Sequence, residues 1–165
     1  MARKKREDKE YQTQLALLEW AHGPQGNITP QLKDLYPNVT GQYRPGQRPE
    51  AGLKYAKGIP DLVLPISVQV LDHAIYYNGL YLELKEGKNT ETADQESWRK
   101  RLVNNGYCSI VAWGFEEAKL AFMSYPEGCI IYDGDDGNRQ HFFIQDTDYV
   151  WRVFEKSMIH EDLGR

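Results

Sequence analysis

Three side chains in the middle of the chain, Asp61, Glu83 and Lys85, have the types and spacing for phosphodiester chemistry. Asp61 closes the turn Gly58-Ile59-Pro60-Asp61, and the other two sit in Leu80-Tyr81-Leu82-Glu83-Leu84-Lys85. Successive side chains of a strand point to opposite faces, so Glu83 and Lys85 share one face and the three leucines the other. Two carboxylates can hold a divalent metal that activates water and offsets charge on a phosphate. An ammonium group beside them can orient that water or neutralise the charge that develops. Oxygen donors of this kind suit Mg²⁺ or Mn²⁺. A Glu-x-Lys strand by itself is most often an exposed ion pair, so the reading depends on the elements around it.

Those elements can be laid out from periodicity. Residues 8–21 read as a helix with Tyr11, Leu15, Leu18 and Ala21 as its apolar stripe, ended by His22-Gly23-Pro24. Glu10 and Gln14, four apart, lie together on an adjoining face. Residues 25–52 read as loop-rich, and a basic and aromatic segment from Tyr43 to Lys57 begins within them and leads into Asp61. Its cations Arg44, Arg48, Lys54 and Lys57 fit either a DNA-backbone-binding loop or a solvated connector. Leu62–Leu64 is a short apolar strand, and Asn78-Gly79 signals a hairpin between 75–77 and the Glu83 strand. A helix is expected over about 92–104, capped by Thr90 or Thr92 and stopped at Gly106, with Gln95, Trp98 and Leu102 on one face. Its cluster Arg99-Lys100-Arg101 reads as a solvated face or as phosphate contacts. Residues 108–113 form a buried strand and 115–123 a short helix. Beyond them, 128–132 and 141–144 read as strands joined by an acidic turn that lacks the calcium-loop pattern, and 148–158 as a final helix.

Taken together, these pieces resemble the VRR-NUC family of the PD-(D/E)xK nucleases, stand-alone forms of which occur in bacteriophages. The resemblance is carried by Glu10 to Gln14 in the first helix, Lys57-Gly58-Ile59-Pro60-Asp61, Glu83-Leu84-Lys85, Gln95 with Trp98, and Asn105-Gly106 before a hydrophobic strand. It runs from about residue 10 to 122. It implies an αβββαβ core, a mixed sheet flanked by helices over about 8–123, with a C-terminal hairpin and helix extension over about 124–165 in the same single domain. It also implies metal-dependent DNA endonuclease activity leaving 5′-phosphate ends, structure-specific toward branched DNA such as Holliday junctions, and a homodimer. The implied metal ligands are Asp61, Glu83, the Leu84 carbonyl and Glu10, the last for a second ion. Lys85 and Gln95 would hold the water or each other. Two readings of other classes stay open: a nucleic-acid-binding or inhibitory module on the same fold that does not cut, and a protein-interaction module using the acidic tail.

Composition agrees with a folded domain. The chain has 165 residues, of which 41% are hydrophobic and 12% aromatic, enough for one core. The net charge of −4 is unevenly spread. Residues 1–114 carry 15 Lys and Arg against 13 Asp and Glu, whereas 115–165 carry 5 against 11. The net charge opposes a DNA partner, but the half bearing the candidate site is the less acidic, which softens that objection. Cys108 and Cys129 lack metal or redox spacing and fit buried thiols in a reducing cytoplasm, the host's if the chain is phage-encoded. The four histidines have no ligand spacing. No apolar run reaches membrane-span length, and no organic cofactor is implied.

Overall fold

Leucines at every second position build the centre of the molecule. In chain order the elements are α1 (Lys9–His22), α2 (Pro24–Ile28), a 3₁₀ turn (Pro30–Asp34), β1 (Tyr36–Pro37), β2 (Leu62–Leu64), β3 (Val68–Gln69) and β4 (Tyr76–Tyr77). They continue with β5 (Leu80–Lys85), α3 (Ala93–Asn104), β6 (Cys108–Trp113), α4 (Gly114–Ser124), β7 (Ile130–Asp135), β8 (Gln140–Gln145) and β9 (Trp151–Val153). The computed structural model describes residues 9–38, 57–69, 76–128, 130–135, 140–145 and 151–153. Arg44, Arg48, Lys54 and Cys129 lie outside them.

The main sheet has the order β1-β2-β5-β6. β1, β2 and β5 run antiparallel in turn, and β6 is parallel to β5. Parallel neighbours need a crossover, which α3 supplies. The resulting order, α1, three strands, α3, β6, is the mixed α/β arrangement expected. One face of the sheet carries Leu62, Leu64, Leu80, Leu82, Leu84, Ile110 and Ala112, packed under Leu17 and Ala21 of α1 and Ala118, Ala121 and Phe122 of α4. The opposite face carries Val63, Glu83, Lys85, Ser109, Val111 and Trp113, all buried, and α3 crosses it.

Four expectations need correction. Of the expected stripe of α1, Ala21 is buried and Leu18 packs against the core, but Leu17 is buried in place of Tyr11 and Leu15, which are 41% and 37% exposed. Burial selects the face that runs 10, 14, 17, 21, polar at its first half, over the more apolar stripe beside it. The part of the loop-rich stretch described here is largely regular, because Pro24 and Pro30 each open a helical turn, where a missing N–H and fixed φ cost nothing. Asn78-Gly79 makes no hairpin: β4 pairs with β3, and β5 pairs with β2 and β6. Gly79 is absent from the glycines with positive φ, which a type I′ turn demands. Its carbonyl instead accepts from the Cys108 amide at 2.9 Å. Lastly, Trp151–Val153, expected within a helix, forms a strand on β8, in keeping with the strand preference of Trp and Val. The hairpin itself is present as β7 and β8.

Leu82 sits at the middle of the core face, opposite Leu62 and beside Ile110. Leu82→Ala should lower the unfolding free energy by about 3 kcal/mol, read from urea denaturation. An unchanged midpoint would place the core elsewhere.

Candidate active site

Register brings the two acids together. Leu62 lies opposite Leu82, so one further step puts Asp61 opposite Glu83, and opposed residues of an antiparallel pair point to the same face. The Leu84 N–H donates to Asp61 Oδ2 at 2.8 Å. The Asp61 carbonyl is held as well, accepting from the Asn38 N–H at 2.7 Å and from Gln14 Nε2 at 3.2 Å. Gln14 reaches it because it continues the buried face of α1 from Ala21 and Leu17.

Glu83 and Lys85 are 3% and 5% exposed. Lys85 Nζ donates to Glu83 Oε1 at 2.6 Å, and Gln95 Nε2 donates to the same oxygen. Gln95 is aimed there by the start of α3. Thr92 and Gln95 form a capping box, in which the Gln95 Oε1 accepts from the Thr92 N–H at 2.8 Å. With its oxygen so occupied, the amide nitrogen faces Glu83. The second oxygen, Glu83 Oε2, is buried and has no hydrogen-bond partner among the described residues.

That arrangement perturbs the acid. Burial, then the charges of Asp61 and Glu10, push the Glu83 carboxyl up to about 8, against the pull of Lys85. A cation at Oε2 would remove the penalty that a proton otherwise relieves. The donors there are all oxygens, as a hard divalent ion prefers. Among the described residues no three His, Cys, Asp or Glu side chains cluster tightly enough to enclose an ion. A metal would thus rely on two carboxylates with backbone carbonyls and water, which suits Mg²⁺.

The remaining expected residues fall around this centre. Glu10 is near enough to raise Glu83, but its Oε1 is engaged by Asn89 Nδ2 at 3.0 Å. Lys57 is 81% exposed at its side chain and paired with Asp94 at 2.8 Å. In the cluster Arg99-Lys100-Arg101 the three charges diverge. Arg99 pairs with Glu91 at 3.0 Å, Lys100 pairs with Glu96, and Arg101 lies 4.0 Å over the Trp98 ring. Several contacts at the site were not anticipated. Thr13 Oγ1 donates to Glu86 Oε1 at 2.6 Å, tying α1 to the end of β5. The Asn89 carbonyl accepts from the Trp113 indole at 3.0 Å. Thr13 had a signal, three residues from Glu10 on the same helix face; Asn89, in a short polar loop, had none.

No family model and no curated protein matches the sequence. A solved structure titled "VRR_NUC domain protein" is similar, with a TM-score of 0.56 and 22% identity, over 73% of this chain and 89% of its own. The likeness is one of fold, and it agrees with the resemblance read from Asp61, Glu83-Leu84-Lys85 and Gln95. No helix among the described residues is long and apolar enough to cross a membrane.

The raised Glu83 carboxyl fixes a pH dependence in metal-free buffer. Folded, the group keeps its proton to about 8; unfolded, it releases it near 4.5. Between those values the folded state binds more protons, so stability falls as pH rises. Relative to Glu83→Gln, the wild type should lose about 1.4 kcal/mol per pH unit across that window, measured by urea denaturation in EDTA. Parallel stability curves would mean that Glu83 titrates normally.

Proposed function

We propose that this chain is a Mg²⁺- or Mn²⁺-dependent endonuclease of the PD-(D/E)xK type that hydrolyses DNA phosphodiesters, acting on branched DNA. The observation that carries this reading is Glu83 Oε2, a buried carboxyl oxygen beside Asp61 without a partner among the described residues. The fold shared with a VRR_NUC domain protein supports it.

Asp61, Glu83 and the Leu84 carbonyl would hold the metal, with Glu10 facing a second ion. When bound, the ion supplies a water of lowered pKa and offsets charge on the scissile phosphate. Asp61 is pre-oriented by the Leu84 amide. Lys85 is held beside Glu83, buried from bulk solvent, where an ammonium acts on developing charge more strongly than in water. Gln95 keeps the Glu83 carboxylate in one orientation. Trp113 packs next to Lys85 in the parallel register and limits solvent on that side.

DNA contacts fall to the segment leading into Asp61, with Arg44, Arg48, Lys54 and Lys57. Their irregular spacing suits phosphate contacts, which position DNA without reading bases. A four-way junction needs two symmetric cuts, so the active form for that substrate is a homodimer.

The test is cleavage of a panel of branched and linear DNAs. Activity with Mg²⁺ or Mn²⁺, loss in EDTA, and preference for branched substrates are expected. Lys85→Ala should lose at least about 100-fold in turnover while DNA affinity persists, because many other cations contact phosphate. Full cleavage in EDTA would overturn the metal role. Binding without cleavage under any metal would favour a non-cutting module.

A further inference from the structure

The segment that bears Asp61 is docked on the same helix that holds Glu83. Trp98 Nε1–H donates to the Lys57 carbonyl at 2.9 Å. Lys57 Nζ reaches back to Asp94 at 2.8 Å. Between them Gly58, with φ of +87°, lies so close to α3 that an added Cβ would stand 2.6 Å from the Asp94 carbonyl carbon. Only glycine fits both that backbone conformation and that gap. One turn earlier on α3, Gln95 donates to Glu83.

The geometry points to Trp98 as a positioning residue for Asp61: its indole N–H fixes the start of the 57–61 segment on α3, the helix that also holds Glu83, and so adds to the contacts that Leu84, Asn38 and Gln14 make with Asp61 itself. This inference rests on the nuclease reading, in which both acids face a metal. The physical reason is a population effect. Asp61 lies outside β2, at the end of a segment that includes a left-handed glycine. Without the Trp98 bond the Lys57 end of the segment samples other conformations, and the apparent metal affinity falls by the fraction that remains competent. Trp98 needs no contact with metal or DNA for this.

The experiment titrates Mn²⁺ into the full chain by calorimetry and follows cleavage against Mn²⁺ concentration. Two lesions remove the N–H donor: Trp98→Phe, and a benzothiophene isostere at Trp98 that keeps the ring shape. Both should bind Mn²⁺ about three- to tenfold more weakly, the range for one lost hydrogen bond, with a melting temperature near that of wild type. Turnover should recover at saturating Mn²⁺. Gly58→Ala, which pushes the same segment off the helix, should weaken Mn²⁺ binding as well. Lys100→Ala, on the exposed Lys100–Glu96 pair of α3, should leave it unchanged. Wild-type Mn²⁺ affinity in both Trp98 variants, or lost turnover that Mn²⁺ does not rescue, would overturn the positioning role while leaving the nuclease reading intact. No Mn²⁺ uptake by the wild type would overturn both.

Discussion

A buried carboxylate with half of its hydrogen-bonding capacity unmet is the constraint on which the rest of the structure turns. Glu83 sits inside a sheet, between the core and α3, where an ion without partners costs several kcal/mol. Oε1 is satisfied by Lys85 and Gln95, and Oε2 is not. A fold selected for stability alone would place an apolar residue there, since Val111 already fills the neighbouring position on β6. A retained acid with a raised pKa is what the proposed metal site, rather than a core, would keep there.

Each element that touches Glu83 serves the core and the site at once. The main sheet is apolar on one face for α1 and α4, and on the other it carries the charged pair beneath α3. One buried face of α1 changes character along its length, from Ala21 and Leu17 against the sheet to Gln14, Thr13 and Glu10 at its mouth. The capping box of α3 starts the helix and, by occupying the Gln95 oxygen, directs the amide nitrogen to Glu83. The Thr13–Glu86 and Asn89–Glu10 bonds close the mouth between α1 and the loop after β5. A fold can host many chemistries. What distinguishes this one is that the polar groups converge on one carboxylate.

Much of this was legible in the sequence, because the strongest signals were local. The period-two leucines of β5 set the face shared by Glu83 and Lys85, and Thr90 or Thr92 before a helical stretch marked the start of α3, which the structure places at Thr92. The misreadings came where long-range packing overrode a local signal. Asn78-Gly79 looks like a hairpin turn, yet the chain there bonds to the entrance of β6. Only the C-terminal half of the expected α1 stripe, Leu18 and Ala21, meets the core, while at the N-terminal half the buried side turns polar with Gln14 and Glu10 and leaves Tyr11 and Leu15 exposed. Pairing with β8 decided Trp151–Val153 for strand, where spacing alone also allowed helix. The bond from Trp98 to the Lys57 carbonyl spans 41 residues and could not be read from spacing.

The central claim is that Glu83 Oε2 and Asp61 face a divalent cation. Anomalous diffraction from crystals grown with Mn²⁺ tests it directly. The account predicts a peak at coordination distance, about 2.0–2.2 Å, from oxygens of both carboxylates, with Lys85 and Gln95 still grouped around Glu83. Saturating Mn²⁺ with no peak there, and Oε2 still without a partner, would contradict it.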